Sequence, residues 1–120
     1  MEAEDMKRRT KLFALGVIRT VQGLPRSVET NVIAKQLVRC GTSVGANYRS
    51  ACLARSRADF ASKLGVVAEE ADEALYWMEL LIEGGVCRIE NLRPLMQEAR
   101  ELTSMLIASI KTVRANQSRY

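Results

Sequence analysis

The feature that most constrains the fold is a four-three spacing of apolar residues in two long stretches. Counted from Ile33, the spacing runs to Ala54 and has one polar member, Asn47; counted from Phe60, it runs to Leu81. Side chains three and four residues apart share one face of a helix, so each stretch is predicted to form a long helix with a continuous packing stripe. The two helices are expected to pack against each other.

The junction between these stretches predicts a tight turn. It consists of Arg55-Ser56-Arg57, where Ser56 can cap the following helix and Asp59 lies in that helix's first turn. A short connection of this kind joins antiparallel neighbours, so the sequence predicts a helical hairpin.

The remaining sequence predicts one more helix on each side of the hairpin. Ser27 can cap the second helix, and the first ends near Gly23; Pro94 is expected within the first turn of the last helix. The predicted ranges are about 6–23, 28–54, 57–83 and 90–114, followed by a frayed tail. Only two prolines and six aromatic residues are present. We therefore expect a single domain, residues 1–120, with an all-α fold: an antiparallel up-down four-helix bundle.

Two glycines interrupt the second predicted helix. Gly41 and Gly45 each cost roughly 1 kcal/mol in helix propensity relative to Ala, and their spacing of four places them on one face. This indicates close helix packing along a strip of small residues. A phosphate-binding loop is the alternative, but no Lys follows Gly45 in the required arrangement, and amides within a helix are already hydrogen-bonded.

Composition argues against several functional classes. The chain has no histidine, which disfavours the two-metal sites of other helical bundles, so neither a metal nor a cofactor is expected. The apolar runs are too short to span a bilayer and no signal peptide is visible, so a cytoplasmic protein without a membrane role is predicted. Cys40, Cys52 and Cys87 are odd in number and are expected to be reduced.

A structural polar cluster is predicted between the second and third helices. Glu70 and Glu73 lie near the seam, where Arg39 or Arg49 can pair with them and Asn47 can add hydrogen bonds. Ser43 lies beside this seam and completes the cluster. An acid-base or cation-binding role for the carboxylates is the weaker alternative, and we expect no catalytic residues. Tyr76 and Trp77 are expected at a helix or subunit contact rather than stacked on bases.

Charge is predicted to gather at one end of the bundle. In an up-down bundle the first helix's start, the central hairpin and the last helix's end lie together. They bring eleven basic and four acidic residues to this end, although the whole chain has a net charge of only +4. The full set includes Lys7, Arg8, Arg9, Lys11 and Arg119. The predicted phosphate contacts are Arg49, Arg55, Arg57, Lys63, Lys111 and Arg114.

Three linked motifs carry a family resemblance over essentially the whole chain. They are Gln36-Leu-x-Arg-x-Gly-Thr-Ser-Val-Gly-Ala-Asn-Tyr-Arg49, Arg55-Ser-Arg-x-Asp-Phe-x-x-Lys-Leu64 and Glu70-Ala-Asp-Glu-x-x-Tyr-Trp-x-Glu-x-Leu81. The chain resembles bacterial four-helix bundle proteins encoded in intervening sequences of large-subunit ribosomal RNA genes. It is more distantly similar to the accessory variability protein of diversity-generating retroelements. The resemblance implies a homopentamer.

The sequence leaves two functions open. The first is a non-enzymatic, oligomeric accessory protein that binds RNA or DNA largely independently of sequence through the basic end, and that partners a reverse transcriptase in a diversity-generating retroelement. The second is a structural or protein-interaction bundle without physiological nucleic-acid binding, in which the basic residues are simply solvated.

Overall fold

The computed structural model describes residues 2–118, which form four α-helices. They are α1 (Ala3–Gln22), α2 (Val28–Ala51), α3 (Arg57–Glu83) and α4 (Ile89–Ser118). The all-α bundle prediction is confirmed. The helices pack side by side in a body of 53 × 22 × 20 Å, with α3 packed extensively against both α2 and α4. In contrast, α1 lies on α2 and contacts α4 sparingly.

Two serines begin helices as the sequence predicts. The Ser27 hydroxyl accepts a hydrogen bond from the Thr30 amide at 3.1 Å, and the Ser56 hydroxyl accepts one from the Asp59 amide at 3.0 Å. Each bond satisfies an amide that has no partner within the first turn. These caps fix where α2 and α3 begin, and hence the position of the hairpin between them.

Three helix boundaries differ from the prediction. Helix α2 ends at Ala51, not Ala54, because the chain tightens into a turn in which the Leu53 amide bonds to the Ser50 carbonyl at 3.0 Å. Helix α1 already begins at Ala3, where Glu4 and Asp5 suit the positive end of the helix dipole. Of the tail that is predicted to fray, residues 115–118 are helical, since an established helix gains one hydrogen bond per added residue, and residues 119 and 120 lie outside the described residues.

Pro94 also lies deeper in its helix than predicted. Because α4 begins at Ile89, Pro94 is its sixth residue and lies beyond the first turn. Proline lacks the amide that would donate to the carbonyl four residues earlier. The missing hydrogen bond falls at the end of the bundle that lies away from the α2–α3 hairpin.

The core follows the predicted stripes. Leu37 and Val44 of α2 and Leu64 and Met78 of α3 are at most 1% exposed, and Asn47 is only partly buried. The small-residue strip is confirmed as the contact between α1 and α2. A Cβ atom added at Gly41 would lie only 2.7 Å from Val17 Cγ2, so the two helices approach too closely for a larger residue.

Candidate interaction surfaces

The basic end is built from clefts on different sides of the bundle. One cleft of about 350 Å³ lies between α1 and α2 and is lined by Lys7, Arg8, Lys11 and Arg49, with Glu4 as its acidic member. Lys7 pairs with Glu4 at 3.2 Å. Four cations within one cleft create a positive local potential that favours an anionic partner.

The hairpin residues lie at a second cleft. Arg55 and Arg57 line a cavity of about 470 Å³ together with Phe60, Val113 and Asn116, which joins the α2–α3 turn to the end of α4. Thus the fold brings the hairpin and the end of α4 together, as the up-down topology requires. We call the residues of this cleft and of the α1–α2 cleft, together with Lys63, Lys111 and Arg114, the basic end.

The other predicted phosphate contacts differ in their surroundings. Lys63 pairs with Asp59 one turn earlier at 3.3 Å, so its charge is partly compensated. Lys111 and Arg114 are exposed on the last turns of α4. Arg119, which the sequence also assigns to this end, lies outside the described residues.

Arg9 does not contribute a solvated charge to the basic end. Its guanidinium donates to both carboxylate oxygens of Glu98, at 2.6 and 2.7 Å, and to Glu101 at 3.0 Å. These hydrogen bonds raise the pKa of Arg9 above its ordinary value, with burial opposing them. Arg9 therefore ties α1 to α4. Sequence patterns missed this pair because Glu98 is 89 residues away and lies on another helix.

The polar cluster forms between α2 and α3 with Arg39 as its cation. Arg39 Nη1 lies 3.3 Å from Glu70, and Arg39 Nη2 donates to Glu73. Burial raises the pKa of the Glu70 carboxyl; Arg39 opposes this shift and Glu73 adds to it. The Ser43 hydroxyl donates to the Arg39 carbonyl at 2.7 Å, so it bonds to its own helix rather than across the seam.

Two other members of the predicted cluster have different positions. Arg49 lies in the α1–α2 cleft and does not meet the carboxylates of α3. Among the side-chain hydrogen bonds of the described residues, none joins Asn47 to Arg39, Glu70 or Glu73. The alternative in which Arg49 pairs with these carboxylates is therefore wrong, because Arg49 projects from another side of α2.

Aromatic residues extend the polar cluster along α3. The Trp77 indole donates to Glu73 at 3.0 Å, and its ring meets Tyr76 edge to face with centroids 5.1 Å apart. Tyr76 is 51% exposed. Val32 lies seven residues before Arg39, and thus on the same side of α2, and is 58% exposed. We call this surface the α2–α3 face; it comprises Val32, Arg39, Glu70, Glu73, Tyr76 and Trp77.

A third surface is an apolar groove that the sequence does not predict. It has a volume of about 450 Å³ and is lined by residues of α2, α3 and α4, among them Tyr48, Phe60, Leu64, Met105, Ala108 and Val113. We call it the α4 groove. Burial, followed by the neighbouring Cys52 thiol, raises the pKa of Tyr48 to about 12, so its hydroxyl keeps its proton at neutral pH.

Neither a metal-binding cluster nor a membrane-spanning helix occurs among the described residues. Residues 2–118 contain no group of three or more carboxylates or cysteines placed to hold a metal ion. None of their helices is long and apolar enough to cross a membrane.

Fold and motifs together define a small four-helix bundle protein with charged and aromatic surface features. The chain belongs to the 23S rRNA-intervening sequence protein family, whose model matches residues 3–108. It is also similar to the crystal structure of a protein of unknown function from the S23 ribosomal protein family of Bacteroides thetaiotaomicron. The two sequences are 36% identical and the structures match with a TM-score of 0.84. The match covers 92% of this chain and 99% of the other.

The sequence resemblance is therefore confirmed at the level of the intervening-sequence family. No curated protein matches the chain. The more distant similarity to the retroelement accessory protein stays a prediction.

Proposed function

We propose that this protein is a non-enzymatic interaction bundle that self-associates through its α2–α3 face. The observation that carries the proposal is Tyr76, which is half exposed yet held in place by its edge-to-face contact with Trp77. Tyrosine and tryptophan are enriched at interface hot spots because they bury a large area with little loss of side-chain freedom.

The surroundings of Tyr76 support this proposal. Arg39 and Glu73 fix the Trp77 indole through ion-pair and hydrogen-bond contacts, so the aromatic pair is organised before a partner arrives. Val32 adds exposed apolar area on the neighbouring helix. A partly apolar centre with charged neighbours is the usual anatomy of a protein interface. The family resemblance implies that the assembly is a homopentamer.

Molar mass in solution tests the proposal. We expect the unmodified chain to sediment as an oligomer, and Tyr76→Glu to shift it to monomer by placing a charge in the contact. Ile107→Glu is the matched control, since Ile107 is 43% exposed on α4, away from the α2–α3 face. An oligomer that survives Tyr76→Glu but dissociates with Ile107→Glu would show that subunits meet elsewhere.

A second candidate function is sequence-independent binding of RNA or DNA at the basic end. It is favoured by the four cations gathered in one cleft between α1 and α2, with Arg55 and Arg57 at the hairpin. Such an arrangement suits a phosphate backbone, and a ring of subunits would multiply the contacts. A reverse transcriptase partner stays a prediction of the distant resemblance, because no feature of residues 2–118 points to that enzyme.

Salt-dependent binding tests this second candidate. Replacing Arg55, Arg57 and Lys111 with Ala is expected to weaken binding of labelled RNA and DNA. For every phosphate that is no longer neutralised, the slope of log affinity against log salt should become shallower by about 0.7 to 0.9. The control replaces three exposed arginines elsewhere: Arg88, Arg93 and Arg100. The hairpin and the end of α4 do not contact the nucleic acid if both triple variants retain the original affinity and slope.

A further inference from the structure

The α4 groove continues into the cleft at the hairpin. Phe60 and Val113 line both cavities, one of about 450 Å³ and one of about 470 Å³. The first is walled mainly by apolar and aromatic side chains, whereas Arg55 and Arg57 stand at the second. The molecule thus presents one trough that is apolar along its length and positively charged at its mouth.

The sparse contact between α1 and α4 explains why the trough is open. The two helices meet at Gly16 and Leu95 and at the Arg9 ion pair with Glu98. Beyond Met105, the lining of the trough comes from α2, α3 and α4 without any residue of α1. The partly exposed side chains of Phe60, Met105 and Val113 are therefore accessible to a ligand, whereas Leu64 and Tyr48 are only 1% and 4% exposed.

The size of the trough distinguishes among possible occupants. From Met105 to Asn116, α4 rises by about 16 Å, and a helix of this length with its side chains occupies roughly 1,200 Å³. Even together, the two cavities are smaller than this volume. An extended peptide is thinner, but helical walls offer no strand edge to satisfy its backbone amides and carbonyls. A single aliphatic chain fits both the size and the apolar lining.

The positive charge at the mouth of the trough favours one kind of head group. A carboxylate at the mouth can accept charge-assisted hydrogen bonds from Arg55, with Arg57 beside it, while a cationic head group would be repelled. Volumes of roughly 300 to 1,000 Å³ with a few placed polar groups are typical of small-molecule sites.

We propose that the trough binds one free long-chain aliphatic carboxylate, with its tail in the α4 groove and its carboxylate at Arg55. The site shares no residue with the α2–α3 face, so it is independent of the proposed self-association. The Tyr48 hydroxyl, Ser109 and Thr112 are the polar groups along the groove, and the rest of the lining contacts the tail.

Titration calorimetry with dodecanoate, kept below its micelle concentration, tests the site in the full chain. We expect 1:1 binding per chain that is at least about tenfold tighter than binding of dodecyltrimethylammonium, since one charge-assisted hydrogen bond is worth about one factor of ten. Ala108→Trp should abolish dodecanoate binding by filling the groove. Ser104→Trp adds the same bulk to an exposed position of α4 outside the groove and should bind normally.

The head-group contact has its own test. Arg55→Gln should weaken dodecanoate about tenfold and leave dodecanol unchanged, whereas Arg93→Gln, at the opposite end, should alter neither. Circular dichroism establishes that each variant is folded. Equal binding by the two Trp variants, equal affinity for the anionic and cationic amphiphiles, or binding only to phosphatidylglycerol vesicles and not to free dodecanoate would each overturn the proposal.

Discussion

Two glycines of the bundle differ in the space around them, although both lie within long helices. A Cβ at Gly41 would approach Val17 Cγ2 to 2.7 Å, while one at Gly65 would have no atom within 4 Å. We expect Gly65→Ala to stabilise the protein by about 0.5–1 kcal/mol through helix propensity. Gly41→Ala should gain the same propensity but be destabilised by about 1–3 kcal/mol of overpacking, for a net destabilisation. Urea unfolding of the two variants measures the difference; equal stability would contradict it.

The buried thiol of Cys40 makes a second residue-scale prediction. Burial raises its pKa from 9.0 to about 12, with Glu73 adding to the shift and Arg39 opposing it. A raised folded-state pKa means that the stability contribution is complete below about pH 9 and is lost as pH rises towards 12. We therefore expect unfolding free energy to fall over this window, and to fall less steeply in Cys40→Ala.

The pH dependence of the unfolding free energy separates the titration of the Cys40 thiol from the cavity that Cys40→Ala creates. Cys40→Ala has two effects. The loss of buried volume lowers stability equally at every pH, whereas the loss of the titrating thiol changes how stability depends on pH. Because Tyr48 also has a pKa raised to about 12 by burial, Tyr48→Phe is measured alongside. Parallel curves for the unmodified chain and Cys40→Ala between about pH 9 and pH 11 would show that Cys40 makes no contribution there.

At the scale of the elements, α1 is attached to α2 and α4 in different ways. Its contact with α2 is close and apolar, through Gly41 and Val17, while its sparser contact with α4 includes the Arg9 ion pairs beside the Gly16–Leu95 approach. We expect Arg9→Met to destabilise the protein by about 1 kcal/mol, since it leaves the partly buried Glu98 without its cation. Urea unfolding measures the change. Arg100→Met, at an exposed position of α4, should have little effect.

A double-mutant cycle with Glu98→Gln isolates the interaction of Arg9 with this carboxylate. A coupling free energy of about 1 kcal/mol is expected for a two-point, partly buried pair, decreasing at high salt. Additive effects of the two substitutions would mean that the ion pair contributes no stability in solution.

At the scale of the whole molecule, the sequence predicts the helix contacts that residue periodicity determines. It misses the contacts that depend on how distant helices are rotated and spaced against each other. The stripes from Ile33 and Phe60 specify the α2–α3 pairing, and this pairing brings Arg39 to Glu70 and Glu73. Periodicity within one helix does not specify its rotation against a distant helix. The Arg9–Glu98 pair and the α4 groove therefore emerge only in three dimensions, since both depend on how α1 meets α4.

The arrangement of the four helices also predicts their relative stability. Helix α3 is packed against both α2 and α4 over much of its length, whereas α1 has only one extensive neighbour. Amides that open only with global unfolding exchange most slowly, and elements with fewer buried contacts open at lower free energy. Hydrogen exchange read by mass spectrometry should therefore show the greatest protection in α3 around Ala71 and Ala74, and earlier exchange in α1.

Two variants test this order. Arg9→Met should speed exchange in α1 and leave exchange in α3 unchanged, as long as global unfolding does not dominate exchange there. The same order of protection, α3 above α1, is expected in Tyr76→Glu. Because this variant is expected to be a monomer, its protection comes from contacts within one subunit and not from neighbouring subunits. Protection of α1 equal to that of α3 in both variants would show that the bundle opens as one cooperative unit rather than from its α1 side.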